Sequence, residues 1–291
     1  MFALALGATA TLGSGVLAAC APPGPTHRRT LGEATPTRPE PPATPPEPVL
    51  VPPAAVDPAV VVGRHTGVRP TAWGTGIDGI VSTLAAPYDE EGRPRIALTF
   101  DACGGDHGGG IDHALIDGLR SAGIGATLFL NARWIERHPG LAAELAADPL
   151  FLLGNHGTRH VPLSVAGAAA YGIAGTLSVE EAVHEVWGNQ TVLTELTGRP
   201  PRHFRAGTAH YDDVAVRIVH DLGAIPVGFA VNGDGGATFS AETVHHEVLA
   251  ARPGAIVLAH MNQPRGGTAA GVLRAAVDLR ARGTVFAHVD A

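Results

Sequence analysis

Residues 96–101 read Ile-Ala-Leu-Thr-Phe-Asp, an apolar run that ends in a carboxylic acid. The run Ile-Val-Leu-Ala-His at residues 256–260 has the same form and ends in a histidine. A third apolar run, residues 150–153, precedes Asn-His-Gly-Thr-Arg-His at residues 155–160. Such runs, bounded by glycine-rich stretches, are typical of buried parallel strands. Because the carboxyl ends of these strands converge on one face of an α/β fold, we expect one acid and three histidines to meet there.

Strand-like and helix-like segments alternate from about residue 93 to the end of the chain. This alternation predicts an α/β protein, specifically a distorted (β/α)7-type barrel with parallel strands. An open doubly wound sheet is the alternative. Ser178 is the predicted N-cap of a long helix over residues 179–196. The predicted strands are residues 95–100, 126–131, 151–153, 203–205, 225–231, 255–261 and 285–289.

The composition limits the possible function classes. The chain has 291 residues with a formal charge of −7, and all 20 of its basic residues are arginine. We therefore expect no nucleic-acid partner and no catalytic lysine. No phosphate-binding glycine motif follows a predicted strand in the right context, so no nucleotide is expected. With Cys20 and Cys103 as its two cysteines, the protein does not depend on a disulfide framework.

Residues 1–20 are predicted to be an export signal with a lipobox-like end. Residues 2–19 are apolar or small and carry no charge, and residues 17–20 read Leu-Ala-Ala-Cys. This ending resembles the bacterial lipoprotein signal, in which the cysteine is acylated. Cys20 is thus the predicted lipidation site, which would anchor the protein on the outer face of the cell membrane. An ordinary signal cleaved after Ala19, giving a secreted protein, and an uncleaved span are the alternatives.

Residues 21–75 are predicted to be a proline-rich, disordered linker and lead-in. Pro-Pro pairs recur between residues 22 and 53, with Thr, Ala and Glu between them. Such a segment cannot bury a core and favours an extended polyproline conformation. It would hold the predicted catalytic domain, residues 76–291, away from a membrane.

The chemistry-bearing residues each have a structural and a functional interpretation. His156 and His160 lie four residues apart. On a helical turn they would share a face and could hold one cation, although surface histidines at this spacing are common. Asp101 could equally cap a turn at its strand end. His260 could equally be a hydrogen-bonded core histidine.

Four short segments follow one another in a fixed order along the chain. They are Thr-Phe-Asp at 99–101, His-Gly-Thr-Arg-His at 156–160, Phe-Arg-Ala-Gly at 204–207 and Leu-Ala-His at 258–260. In this order they resemble the polysaccharide deacetylases, the NodB-homology group or carbohydrate esterase family 4, over about residues 94–289. The resemblance implies a distorted (β/α) barrel, a divalent metal that is usually zinc, and removal of N- or O-linked acetyl groups from a polysaccharide such as peptidoglycan, chitin or xylan.

The resemblance also implies roles for single residues. Asp101 matches the catalytic base, Arg205 the arginine that orients that base, and His260 the general acid. Thr208 lies at the position whose backbone N–H helps to hold the oxyanion. Asp234 falls in a segment where an acidic partner is expected, and Arg205 is the partner that we predict for it.

The metal-binding part of the pattern departs from the family. His156 and His160 match the two metal histidines. Ala102, however, stands where the family has a second aspartate as the third ligand. Alanine cannot coordinate a metal, so another group has to take this place. The candidates are Asp106, His107, Cys103, Asp101 and water.

The sequence supports one leading function and two alternatives. The leading hypothesis is an exported, metal-dependent deacetylase that acts on an acetylated glycan. The first alternative is a surface-anchored carbohydrate-binding protein with a degenerate catalytic site, for which Ala102 is the main argument. The second is a hydrolase of another amide on the same barrel. Because aromatic residues make up 5% of the chain, stacking surface is scarce and a short or shallow groove is expected.

Overall fold

The computed structural model describes residues 56–289. The strands in this part of the chain are β1 Trp73–Gly74, β2 Arg95–Ala102, β3 Ala126–Leu130, β4 Phe151–Asn155, β5 His203–Phe204, β6 Tyr211–Asp212, β7 Ile225–Pro226, β8 Val231–Asn232, β9 Ile256–His260 and β10 Val285–Phe286. The helices are α1 Pro58–His65, α2 His113–Ala122, α3 Ala132–Arg137, α4 Pro139–Ala147, α5 Val179–Thr197, α6 Asp213–Asp221, α7 Ala241–Leu249 and α8 Thr268–Ala281. A 3₁₀ turn spans Gly207–Ala209.

The strands form a curled parallel sheet in the order β7-β5-β4-β3-β2-β9-β8. β10 pairs in parallel with the start of β2. The predicted α/β fold with a distorted parallel barrel is confirmed, in the form of a seven-stranded half-barrel. This topology brings the carboxyl ends of the parallel strands to one edge of the sheet.

Side chains of β2 alternate between two environments. Phe100 and Ala102 pack into the main apolar core with residues of α2 and α8. Thr99 and Asp101 point to the opposite, concave side, as the period of two in a strand requires. Since every residue of β2 after Arg95 is buried, the strand reads in sequence as a continuous apolar run.

Helix α5 joins the outer layer to the edge of the sheet that carries the strand ends. It begins where the sequence predicts, because the Ser178 side chain accepts a hydrogen bond from Glu181 N at 3.2 Å. Its inner face then carries buried polar residues. Asn189 Nδ2 donates to Leu130 O and to Asn155 Oδ1, both at 2.8 Å. These bonds fix the ends of β3 and β4 relative to each other.

The single strand predicted over residues 225–231 is two strands, β7 and β8. Val81 N donates to Pro226 O and Gly228 N donates to Val81 O, both at 2.9 Å, so the chain pairs here with the segment around Val81. A Cβ at Gly228 would lie 2.8 Å from Ser82 Oγ. This close approach bends the chain away from β5 and carries Phe229 to the concave side, where it lines a cavity.

The amino-terminal part of the described chain is more ordered than predicted. Residues 58–65, within the range predicted to be a disordered lead-in, form α1, and Val61 of this helix packs into a second apolar core. The signal segment 1–20, with Cys20, and the linker as far as residue 55 lie outside the described residues. Between residues 56 and 289, no helix combines the length and hydropathy needed to cross a membrane.

Candidate active site

The carboxyl ends of β2, β4, β5 and β9 place the predicted site residues together at one edge of the sheet. Asp101 lies opposite His260 in the register of β2 and β9. Asn155, the last residue of β4, lies opposite Phe204 of β5, so His156 and Arg205 follow these two strands side by side. The sequence-based expectation that these groups meet at one edge of the sheet agrees with this geometry.

Arg205 is fully buried behind Asp101. Its Nη1 donates to Asp101 Oδ1 and to Thr99 Oγ1, both at 2.8 Å, and its Nη2 donates to Gly228 O at 2.9 Å. The guanidinium also stacks over Phe129, 4.2 Å from the ring centroid. These contacts hold the guanidinium rigidly, and through it the carboxylate.

The surroundings of Asp101 keep it ionised. Burial alone would raise the pKa of this carboxyl group. The positive charges of Arg205, His156 and His260 outweigh burial and leave the pKa below its usual value. A buried carboxylate with a depressed pKa stays deprotonated at neutral pH, as a general base requires.

His156 is buried and oriented by the backbone. Its Nδ1 donates to Arg205 O at 2.8 Å, so Nε2 faces the site. Nε2 lies 3.5 Å from Asp101 Oδ2 and 4.0 Å from Cys103 Sγ. A backbone carbonyl that fixes the far nitrogen of an imidazole is a common arrangement for a metal ligand.

His160 reaches the site through a loop and not through a helical turn, so the local geometry predicted for the two histidines is wrong. The loop is folded around the buried carboxylate of Glu185. This carboxylate accepts hydrogen bonds from Thr158 Oγ1 at 2.7 Å and from the backbone N–H groups of Arg159 and His160 at 3.0 Å. The backbone of His160 adopts a φ of 61°. The two imidazoles meet edge to face, with ring centroids 4.8 Å apart.

Cys103 completes a group of three possible metal ligands. The ligand atoms of Cys103, His156 and His160 all lie within 4.8 Å of one another. Burial would raise the pKa of the Cys103 thiol, but the charge of His160 and hydrogen bonds from neighbouring imidazoles bring it well below its usual range. Asp106 and His107, two other candidates for the third ligand, are exposed and do not belong to this group.

The donor set suits zinc. Two imidazole nitrogens and one thiolate are borderline-soft donors that Zn²⁺ binds tetrahedrally, and three protein ligands leave a fourth position open. The Nδ1 bond of His156 supplies the outer contact that orients such a ligand. These residues therefore fit the divalent metal that the sequence resemblance implies.

His260 is held by Asp234, which corrects the predicted pairing of Asp234 with Arg205. Asp234 Oδ1 accepts from His260 Nδ1 at 2.9 Å. Its Oδ2 accepts from His260 N at 2.7 Å and from Thr268 Oγ1 at 2.9 Å. Burial would lower the pKa of His260. The hydrogen bond and charge of Asp234, together with contacts to Cys103, instead raise it well above the usual value.

This pairing could not be assigned from the sequence, because Asp234 lies 26 residues from His260 and at a similar distance along the chain, 29 residues, from Arg205. The register of β8 against β9 decides it, since Asn232 lies opposite Leu258. The turn after β8 then points Asp234 at the end of β9.

Thr208 lines the same cavity as Asp101 and His260. It has a φ of 65° inside the 3₁₀ turn. The turn is tied down by Ala206 N, which donates to the buried Tyr211 Oη at 2.8 Å, and by His210 Nδ1, which donates to Thr208 O at 2.7 Å. Its predicted role as a backbone donor to an oxyanion stays a prediction.

A cavity of about 660 Å³ opens over these groups. Its size lies in the usual range for small-ligand sites. Sequence reasoning missed the wall residues Tyr171, Ile173 and Phe239, because they lie in loops with no strand or helix pattern. The apolar wall residues are Tyr171, Ile173, Phe229, Phe239 and Leu258.

The comparisons with known proteins agree with this geometry. Residues 88–227 match the family described as polysaccharide deacetylase. A chitooligosaccharide deacetylase of Rhizobium leguminosarum bv. trifolii is 29% identical over 181 residues, which is 61% of this chain and 77% of the relative.

Two solved structures show the same fold. The Bc1960 peptidoglycan N-acetylglucosamine deacetylase has a TM-score of 0.59 at 21% identity and covers 72% of this chain and 90% of its own. BA3943, a CE4 family pseudoenzyme from Bacillus anthracis, has a TM-score of 0.55 at 21% identity, with coverages of 67% and 63%. At these identities the likeness is one of fold.

Proposed function

We propose that this chain, which belongs to the polysaccharide deacetylase family through residues 88–227, is a metal-dependent hydrolase that removes N- or O-linked acetyl groups from a polysaccharide. One observation carries the proposal. Asp101 and His260 lie opposite each other in register and line one cavity, and each has a buried partner of opposite charge behind it. Such a pair is the acid and base that hydrolysis of an amide or ester requires.

A metal held by His156 and His160 would act as a Lewis acid at the acyl oxygen and acidify a water molecule at the site. Asp101, ionised and aimed by Arg205, takes the proton of the attacking water. His260, protonated through its contact with Asp234, gives a proton to the departing nitrogen or oxygen of the sugar. The backbone N–H of Thr208 would donate to the oxyanion.

The substrate class follows from the cavity and the relatives. A cavity of about 660 Å³ that opens to solvent can hold a short segment of a glycan, but it is too small to enclose a long glycan chain. The similar proteins are named for chitooligosaccharide and for peptidoglycan N-acetylglucosamine. We therefore place glycans of N-acetylated amino sugars first among the candidates and O-acetylated xylans second.

The test is acetate release by the purified protein from N-acetylated chitooligosaccharides and from O-acetylated xylooligosaccharides. We expect turnover that is lost on chelation and recovered with zinc. The Asp101→Asn variant, reloaded with zinc, is the matched control and should release acetate at least about 100-fold more slowly than wild type. Zinc-independent turnover, or equal turnover in the variant, would overturn the proposal.

Two observations favour a second candidate, a glycan-binding protein without turnover. Ala102 stands where the family has a metal-binding aspartate, and a structural neighbour, BA3943, is a pseudoenzyme. A protein of this kind would bind the same oligosaccharides and release no acetate from any of them. Calorimetric binding measured beside the acetate assay separates the two functions.

We also propose that the protein works outside the cytoplasm, anchored through an acylated Cys20. The support is the sequence of residues 17–20 and the proline-rich stretch that follows. Expression with labelled palmitate should label the membrane fraction in wild type but not in a Cys20→Ser variant. Equal labelling of the variant would contradict the lipid anchor.

A further inference from the structure

We propose that the thiolate of Cys103 is the third protein ligand of the metal, in place of the carboxylate that is missing at position 102. This inference rests on the proposed function only in that a metal has to bind to His156 and His160. It assigns the ligand set Cys-His-His to this chain and predicts which metals the site selects.

The distances support this ligand set. Cys103 Sγ lies 4.0 Å from His156 Nε2, and all three ligand atoms lie within 4.8 Å of one another. With metal bonds of about 2.0–2.3 Å, a tetrahedral zinc ion holds N and S donors roughly 3.3–3.6 Å apart. Small rotations of the side chains close this difference.

In this chain Cys103, and not position 102, presents a donor atom to the two histidines. Ala102 is fully buried, packs among apolar residues of the main core and has no donor atom. Cys103 directly follows β2, and its Sγ belongs to the group formed with His156 and His160. The third ligand therefore lies one residue further along the chain than the aspartate of the family.

The loop that follows Cys103 is closely packed and holds the cysteine in place. Gly104 has a φ of +69°, and a Cβ there would lie 2.9 Å from Trp134 N. Gly104 N donates to Gly108 O at 3.0 Å, and the same oxygen accepts from the buried Asn262 Nδ2 at 2.8 Å. The backbone of the loop thus has its own hydrogen bonds, and the thiol group remains directed at the histidines.

The other candidates for the third metal ligand are disfavoured by their contacts or by their positions. Asp101 Oδ1 is occupied by Arg205, and its carboxylate serves better as a base when the metal does not take both oxygens. Asp106 and His107 are exposed, and their ligand atoms do not belong to the group formed by Cys103, His156 and His160.

The ligand set has a consequence for metal selectivity. Thiolate and imidazole donors favour Zn²⁺ and Co²⁺, whereas Mg²⁺, Ca²⁺ and Mn²⁺ prefer oxygen donors. We therefore expect zinc to remain bound in an excess of magnesium or manganese. Replacing the sulfur by a carboxylate, in Cys103→Asp, should weaken this discrimination.

The experiment is cobalt substitution of the full chain, read by absorption. A thiolate bound to Co²⁺ gives a charge-transfer band in the near ultraviolet, which nitrogen and oxygen ligands do not give. We expect this band in wild type and in Cys20→Ser, which removes the second cysteine. It should disappear in Cys103→Ser, with a loss of zinc affinity of more than roughly 100-fold, since outer contacts alone cost about 10–100-fold.

A second measurement keeps Cys103 in place, so it does not depend on the folding of a Cys103 variant. In the Cys20→Ser protein, zinc should protect Cys103 from alkylation by iodoacetamide, as read by intact mass, and a chelator should remove the protection. Stoichiometric metal without the band and without protection would overturn the cysteine ligand and leave the proposed metal-dependent hydrolase standing. Failure to bind zinc or cobalt at all would overturn both proposals.

Discussion

Two buried ion pairs at the ends of the neighbouring strands β2 and β9 have opposite arrangements. At the end of β2, Asp101 faces the cavity and its cation, Arg205, lies behind it. At the end of β9, the imidazole of His260 faces the cavity and its anion, Asp234, lies behind it. The same kind of ion pair, turned around, presents a proton acceptor in one place and a proton donor in the other.

The difference shows how the fold separates two pKa values within one cavity. The positive charge of the Arg205 guanidinium favours the carboxylate, so the pair at β2 lowers the pKa of Asp101, the group that faces the cavity. The carboxylate of Asp234 favours the charged imidazole, so the pair at β9 raises the pKa of His260, the group that faces the cavity. Titratable groups with environments that push their pKa values apart are typical of an acid and base pair.

The largest effect is expected from removing the proton acceptor of the first pair. Asp101→Asn keeps the size of the side chain and an oxygen for Arg205 but cannot accept a proton. Turnover should fall roughly 10²–10⁴-fold, the usual contribution of a general base. The measurement is kcat for acetate release at saturating zinc. Zinc content equal to wild type serves as the control, and unchanged kcat would contradict the assignment of the base.

Breaking the second pair should have a smaller effect. Asp234→Asn leaves His260 in place and removes the charge that keeps it protonated. We expect kcat to fall by roughly 10²-fold, the lower end of the contribution from general acid catalysis. KM should change little, because Asp234 lies behind the imidazole and not in the cavity. A substrate with a better leaving group should recover part of the loss, and an equal loss for all substrates would argue against an acid role.

Removing the cation of the first pair tests stability. Arg205→Gln leaves Asp101 buried without its ion pair, and breaking a buried pair typically costs about 3–5 kcal/mol. The measurement is the free energy of unfolding by urea. The matched control is Arg274→Ala, because Arg274 pairs with Glu242 on the surface at 2.7 Å and exposed pairs contribute about 0–1 kcal/mol. Similar losses in the two variants would contradict the role assigned to Arg205.

The smallest of these effects concerns the loop of the metal histidines. Glu185→Gln replaces an oxygen that accepts two backbone N–H bonds with an amide donor. We expect a loss of stability of about 1–3 kcal/mol and zinc binding weakened by roughly 10-fold, at the low end for outer contacts. Zinc titration followed by tryptophan fluorescence measures the second quantity. Zinc affinity equal to wild type would show that the loop holds its shape without this carboxylate.

Most of the fold and part of the site are predictable from local patterns. The strands that end in Asp101 and His260 are buried on both sides, so their apolar runs are visible in the sequence. The break between β7 and β8 is not visible, because it comes from pairing with the segment around Val81. Helix α1 was likewise hidden in a proline-rich context, although Asp57 and Pro58 form a capped start.

The partner choices within the site depend on three-dimensional register. The position of Asp101 beside Arg205 follows from the resemblance, whereas the pairing of Asp234 with His260 requires β8 to lie beside β9. From the sequence alone, Cys103 is one of five candidates for the third metal ligand. Only the folded chain places its sulfur beside the two histidines.

The most direct test of the two oppositely arranged pairs is the pH dependence of kcat/KM, which reports the pKa values of the free enzyme. Asp101 must be deprotonated and His260 protonated for turnover. We therefore expect kcat/KM to show a broad plateau with pH, which begins below the usual pKa of aspartate and ends above the usual pKa of histidine. Arg205→Gln should raise the pKa of Asp101 and move only the acid limb to higher pH. Asp234→Asn should lower the pKa of His260 and move only the alkaline limb to lower pH. If both variants moved the same limb, or neither moved any, the assignment of acid and base to these two pairs would be wrong.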